Sequence, residues 1–155
     1  MSSKNDADLP EGRSTTYLLS QVNQPLRNLS DNILKPYGVT GIQFTVLSAV
    51  ARRDGLSSAD LSRRFYVTPQ SMGQLLSTLE ERGLLRRQED VNNRRILRIT
   101  LTPAGRELVE QGTQDMVKLE EDVFTSLNAR QIKTLRTLLQ TVMEDLRSRK
   151  INSSL

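Results

Sequence analysis

The stretch from Leu56 to Gly105, LSSADLSRRFYVTPQSMGQLLSTLEERGLLRRQEDVNNRRILRITLTPAG, reads as two short helices, a basic two-stranded ribbon and the opening of a further helix. No other feature constrains the fold as much. The same stretch concentrates the charge: Leu56 to Arg106 holds nine Arg against five acidic residues, a net +4, while residues 1–55 carry +1 and residues 107–155 one net negative. A basic excess confined to one segment is what a surface carries when it meets a phosphate backbone, whereas solubilising charge is spread evenly.

At 155 residues the chain has the size of one domain. With 36% apolar and 26% charged residues, no Trp and few other aromatics, it is expected to be soluble and helix-rich. No apolar run approaches the ~18 residues of a membrane span, and no signal-like hydrophobic block follows the polar N-terminus, so a cytoplasmic protein without membrane contact is expected. The absence of Cys removes disulfides, thiolate metal sites and thiol redox sensing, and the absence of His removes the commonest metal ligand and acid–base catalyst. There is also no Gly-rich phosphate loop and no clustered carboxylate pair on a predicted pocket wall. A binding protein is therefore expected, with no catalytic residues, no metal site and no cofactor.

Residues 1–13, MSSKNDADLPEGR, are polar with no apolar period and read as a flexible tail. From Ser14 the apolar positions Leu18, Val22, Leu26, Leu29 and Ile33 mark an amphipathic helix to about Lys35, with a kink or break expected at Pro25. Pro36-Tyr37-Gly38 stops it. Thr40 caps a second helix, with Phe44, Leu47 and Ala51 inward beside Val50, ending near Asp54-Gly55. Ser58 offers a cap for a short helix over Ala59 to Phe65, and Thr68-Pro69 opens another that runs to Arg82 and stops at Gly83. Leu84 to Arg87 and Ile96 to Leu101 pair as a hairpin across a polar turn. Thr102-Pro103 starts a long helix to about Ser126, broken in register at Gly112. Asn128 caps a last helix whose stripe from Ile132 to Leu146 is longer than a small domain can cover alone.

In the helix after Thr68, the residues Met72, Leu75, Leu76 and Leu79 share one buried face. The other face presents Gln70, Ser71, Gln74, Ser77 and Thr78, which donate and accept hydrogen bonds without the cost of burying a net charge. Gln can bond adenine through two contacts in the major groove, and Ser or Thr can serve several bases or a phosphate. Gly73 lets the backbone come close, and the positive end of the helix near Thr68 favours a phosphate. Arg94 and Arg95 fall at the tip of the ribbon, with Arg86, Arg87 and Arg98 on its strands. A two-stranded arm bearing Arg can reach into an adjacent minor groove.

With these motifs in place, the chain resembles the MarR family of bacterial transcriptional regulators. The resemblance is carried by LSSADLSRRFYVTPQSMGQLLSTLEERGLL, the wing NNRR and the LTPAG that opens a long helix, and with the flanking helices it covers roughly residues 14–148. It implies a mainly α fold with a small β wing: a winged helix-turn-helix lobe over about 40–102, and a helical dimerisation region from the N- and C-terminal helices, about 14–35 and 103–149, within one domain of residues 14–155. It implies a homodimer on a near-palindromic double-stranded operator, with Thr68, Gln70, Ser71 and Gln74 toward the major groove, Arg95 in the minor groove and Arg94 assisting. A pocket near the first, second and fifth helices for a small aromatic or anionic effector is also implied, with Tyr17, Tyr37 and Phe44 as candidate lining. Two positions depart from the pattern: Asn93 stands where the family often has an acid, and Tyr66 where it often has Gly.

The leading expectation is a ligand-responsive repressor or activator. The alternative is a winged-helix protein-interaction module without sequence-specific DNA binding. Salt separates the two, because phosphate binding weakens steeply as salt rises and an apolar interface does not.

Overall fold

The computed structural model describes residues 14–152, so the expected tail over residues 1–13 lies outside the described residues. The chain divides into two units, one ending at Met116 and one beginning at Val117. The elements are α1 (Thr15–Leu34), a 3₁₀ turn (Lys35–Tyr37), α2 (Gly41–Arg52), β1 (Leu56–Ser57), α3 (Ser58–Phe65), α4 (Pro69–Glu81), β2 (Leu85–Glu89), β3 (Leu97–Leu101), α5 (Pro103–Val123) and α6 (Ala129–Asn152). This is the mainly α fold with a small β wing that the sequence announces.

Helix starts are written locally. Ser14 Oγ accepts from the Tyr17 N–H at the head of α1. Thr40 with Gln43, Ser57 with Asp60, and Asn128 with Gln131 form reciprocal caps on α2, α3 and α6, each satisfying backbone donors that the first turn leaves orphaned. Thr68 and Thr102 cap α4 and α5. The cap of α3 is Ser57 and not Ser58, because Ser57 is the residue with extended backbone whose side chain meets the Asp60 N–H. α1 runs without a break through Pro25. The proline forfeits one hydrogen bond, but Gln21, whose carbonyl loses that partner, lies on an exposed turn where water can satisfy it. Gly112 does not break α5 either.

In the first unit, Val46, Leu47 and Val50 of α2, Leu61 of α3, Met72, Leu76 and Leu79 of α4, and Leu85 and Ile99 of the sheet are fully or almost fully buried in one core. Ala51, expected inward, is exposed, and Ala49 is buried in its stead, so the inward face of α2 is centred on Val46 and Val50. The ribbon is three-stranded, with antiparallel order β1-β3-β2 and Leu56 opposite Ile99. β1 escaped the sequence reading because two residues are too short to show an alternating pattern.

The start of α5 passes against the chain that leaves α4. The Leu84 carbonyl accepts from the Thr102 N–H at 3.2 Å, and Thr102 Oγ1 donates to the Gly83 carbonyl at 2.6 Å. A Cβ on Gly105 would stand 1.9 Å from the Leu84 oxygen. In the second unit α6 pairs Arg136 with Glu120 and leaves Leu138, Val142 and Leu146 about half exposed.

Gly105→Ala is expected to destabilise the protein by about 2 kcal/mol or more, because the obstacle is backbone and cannot rotate away. Thermal melting followed by circular dichroism checks this, and an unchanged midpoint would contradict the close passage.

Candidate nucleic-acid interface and a neighbouring cavity

α4 buries Met72, Leu76 and Leu79 and exposes Gln70, Ser71, Gln74 and Thr78. These four therefore share an open, hydrogen-bonding surface. The other two predicted contacts on this helix are engaged within the chain. Thr68 Oγ1 accepts from the Ser71 N–H at 3.1 Å and donates to Ser71 Oγ at 2.9 Å. Ser77 is half-buried, and its Oγ accepts from Arg87 Nη2 at 3.0 Å.

That Arg87 contact belongs to a larger tie between wing and helix. Arg87 Nε donates to Glu80 Oε2 at 2.7 Å, while the Arg87 backbone N–H donates to Glu80 Oε1 at 3.0 Å. The Arg87 hydrogen bonds hold the Glu80 carboxyl below its usual range, which favours the carboxylate that accepts them. One strand of the wing is thereby fixed to the flank of α4.

The wing tip is organised by Asp90. Its Oδ1 accepts from the Asn92 and Asn93 N–H groups at 2.8 and 3.0 Å, and its Oδ2 accepts from Arg98 Nε at 2.7 Å. Arg98 Nη1 reaches on to the Gly55 carbonyl at 3.1 Å, which anchors the wing to the turn before β1. The Arg98 hydrogen bond is the main reason that the Asp90 carboxyl lies below its ordinary value. Asn93, standing where an acid is common, accepts the Arg95 N–H at 3.1 Å and closes an Asx turn. The backbone of the tip is thus held while the Arg95 side chain is exposed, with no hydrogen bond or ion pair to another described residue. Arg94 is also exposed, 4.0 Å from the Glu89 carboxylate.

The turn between α3 and α4 contains Tyr66 with φ 54° and ψ 37°, the left-handed conformation that ends α3. A side chain there costs ~1–2 kcal/mol relative to glycine, yet the turn has the geometry that glycine would give. The Tyr66 N–H and the Val67 N–H both bond the Ser62 carbonyl.

Beside this turn lies a cavity of about 460 Å³. Leu26, Ile42, Phe44, Phe65, Val67 and Met116 form its apolar walls, and Arg27, Ser30, Asp31 and Thr45 supply polar groups. Three of those four are satisfied within the chain: Ser30 donates to the Leu26 carbonyl, Thr45 to the Gly41 carbonyl, and Asp31 Oδ1 accepts the Gly41 N–H at 2.6 Å. Arg27 remains as an exposed cation with no bonded partner among the described residues. An apolar slot with one free guanidinium suits a small aromatic anion. Phe44 keeps its place because residue 112 is glycine: a Cβ there would lie 2.5 Å from the Phe44 ring.

Of the three residues read from the sequence as lining a ligand site, Phe44 is on the cavity wall, whereas Tyr17 and Tyr37 are not among its lining. Tyr17 is exposed near the start of α1. Tyr37 donates its hydroxyl to Asp115 Oδ2 at 2.6 Å, and this hydrogen bond raises the phenol above its ordinary value. The Tyr37 carbonyl accepts from Arg82 Nη2 at 3.1 Å, and the Gly38 carbonyl from Arg82 Nη1, so the residue that ends α4 grips the turn between α1 and α2. Arg27 was missed. Its spacing gave no signal, because the other walls of the cavity come from elements distant in the chain.

Among the described residues no group of three or more carboxylates, Cys or His is placed to hold a metal ion, and no helix is long and apolar enough to cross a membrane.

Comparison with known proteins agrees with this arrangement. The MarR family model matches residues 37–96. The HTH-type transcriptional repressor Rv2887 of Mycobacterium tuberculosis is 34% identical over 129 residues, which cover 83% of this chain and 93% of the repressor. Among solved structures, a mutant MarR from E. coli complexed with operator DNA superposes with a TM-score of 0.75 at 26% identity, covering 82% of this chain and 91% of that one. Rv2887 in complex with salicylic acid superposes with a TM-score of 0.69 at 33% identity, covering 86% and 99%. The helix-turn-helix, its wing and the helices on either side therefore place this chain in the MarR family.

Proposed function

We propose that the chain is a sequence-specific DNA-binding transcriptional regulator that acts as a cytoplasmic homodimer and whose operator binding is modulated by a small aromatic anion. The observation that carries this reading is the pairing of an open hydrogen-bonding face on α4 with a wing whose backbone is fixed and whose Arg95 is exposed and unpaired. The relative crystallised with operator DNA supports the same reading.

In this reading Gln70, Ser71 and Gln74 meet base edges in the major groove. Thr68 and Ser77 stand on the same face and hold the helix start and the wing. Arg95, with Arg94 beside it, enters the minor groove, where a narrow A·T-rich stretch strengthens the attraction. Residues of about 40–102 form the reading lobe, and the helices over about 14–35 and 103–149 form the dimer. Dimerisation is supported by the apolar side chains that α1 and α6 each leave exposed, Leu18, Val22 and Leu29 on the one and Leu138, Val142 and Leu146 on the other. The absence of His and Cys, the commonest acid–base and thiol groups, supports binding over catalysis.

Arg27 would pair with the carboxylate of the effector, and the walls around Phe44 would take its ring. The salicylic acid complex of the relative supports this ligand class.

The reading is tested by binding to operator and random duplexes at several salt concentrations, with and without salicylate. Gln74→Ala is expected to lower discrimination between the two duplexes by about 1–3 kcal/mol. Equal weakening on both would show that Gln74 reads no base. Arg95→Ala should weaken binding and make the salt slope shallower by about one unit, with the melting temperature unchanged. An unaltered slope would exclude the wing from the interface. Arg27→Gln should leave operator binding intact while reducing the affinity for salicylate about tenfold or more, as expected for loss of a charge-assisted hydrogen bond. Calorimetric titration of both proteins measures it, and equal affinities would remove Arg27 from the ligand site.

A further inference from the structure

Four glycines, Gly41, Gly73, Gly105 and Gly112, lie inside the helices of the described residues or at their first turns, and two of them are demanded by packing. A Cβ at Gly105 would strike the Leu84 carbonyl oxygen at 1.9 Å, and one at Gly112 would strike the Phe44 ring at 2.5 Å. Gly73 is different. It sits in the interior of α4 with helical backbone, and a Cβ built on it meets nothing within 4 Å. Neither a neighbouring atom nor an unusual φ requires glycine there, while glycine in a helix interior is destabilising relative to alanine. The chain thus carries a stability cost for which its own fold gives no return.

The position of Gly73 identifies what the missing side chain would meet. Gln70 at i−3 and Ser77 at i+4 are its neighbours toward the exposed face, and the buried Leu76 at i+3 borders it on the inner side, so Gly73 lies part-exposed at the edge of the polar face. Gly73 is therefore a bare patch of backbone at the edge of the hydrogen-bonding face that the proposed function turns toward DNA. Gln70 and Gln74 are long, and a helix can bring both to base edges only if nothing beside them holds it off the groove.

We infer that Gly73 is a close-approach position for DNA, at which the edge of a base pair in the major groove packs against the bare backbone of α4 and so sets how deeply the helix sits. This rests on the proposed reading of α4 as the helix in the groove. The structure assigns Gly73 a role in specificity that no side chain of its own performs: depth, and with it the reach of Gln70 and Gln74.

The experiment compares the full chain with Gly73→Ala on a duplex selected by the wild-type protein from a random-sequence pool, and on random duplex. The melting temperature of the variant is expected to rise by about 2–4 °C. Its affinity for the selected duplex should fall about tenfold or more, the size of one good base contact, while affinity for random duplex, which rests on phosphate charge, stays within about twofold. Higher stability together with lost specific binding is the expected result, because a purely structural glycine would lower both. A variant that binds the selected duplex as tightly as wild type overturns the inference and leaves the proposed function standing. A fall in melting temperature also overturns it, since it would reveal a packing role within the chain. If the wild-type protein itself enriches no sequence from the pool, the proposed function fails first and the inference with it.

Discussion

The passage of α5 across the Leu84 carbonyl is the constraint on which the reading lobe depends. At that point the chain has just left α4 and is about to enter the wing, and eighteen residues later it returns from the wing to begin α5. The Thr102 N–H, the Thr102 hydroxyl and the bare Cα of Gly105 all converge on the Gly83-Leu84 backbone. Both ends of the hairpin are therefore held at one place, and the wing can project in only one direction from α4. The Glu80–Arg87–Ser77 contacts then lock that direction a few residues further on. A left-handed Gly83 allows the turn, and a side-chainless residue at 105 allows the crossing.

The charge of the lobe is divided between holding and reaching. Arg87, Arg98 and Arg82 each bind groups of the chain itself, to Glu80, to Asp90 and Gly55, and to the carbonyls of Tyr37 and Gly38. Arg63 pairs with Asp60 within α3. Arg86, Arg94 and Arg95 keep their side chains exposed. A count of basic residues thus overstates the charge presented to a partner. It does point to the wing, because Arg82, Arg87 and Arg98 lie with the exposed arginines on the same hairpin and the turn that precedes it.

Much of this was legible in the sequence because the determinants are local. Thr-Pro pairs at 68–69 and 102–103, Thr40 three residues before Gln43, and Gly83 after a polar helix end act within one turn, and each marks the boundary that the structure has. The polar face of α4 was equally plain from its periodicity. What could not be read was set by partners distant in the chain. Ala51 and Ala49 exchange places because the inward face of α2 is chosen by β3 and α1, and not by α2 itself. The two residues of β1 become a strand only because Ile99 and Arg98 lie beside them. The cavity brings together α1, α2, the turn beside Tyr66 and Met116, and no spacing in the sequence relates Arg27 to Phe65. Asn93, a departure from the family pattern, supplies through its side-chain oxygen the acceptor for the Arg95 N–H and so closes an Asx turn in the wing.

Tyr37 gives the lobe a mechanical property that its helices taken singly do not have. Its carbonyl is held by Arg82 at the end of α4, and its hydroxyl by Asp115 of α5. A single short turn is thus a pivot shared by two levers, one leading to the reading face and the other, through Met116 at the next position, to the cavity wall. Both contacts start from one residue, so the end of α4 and the middle of α5 are tied to each other through a single turn.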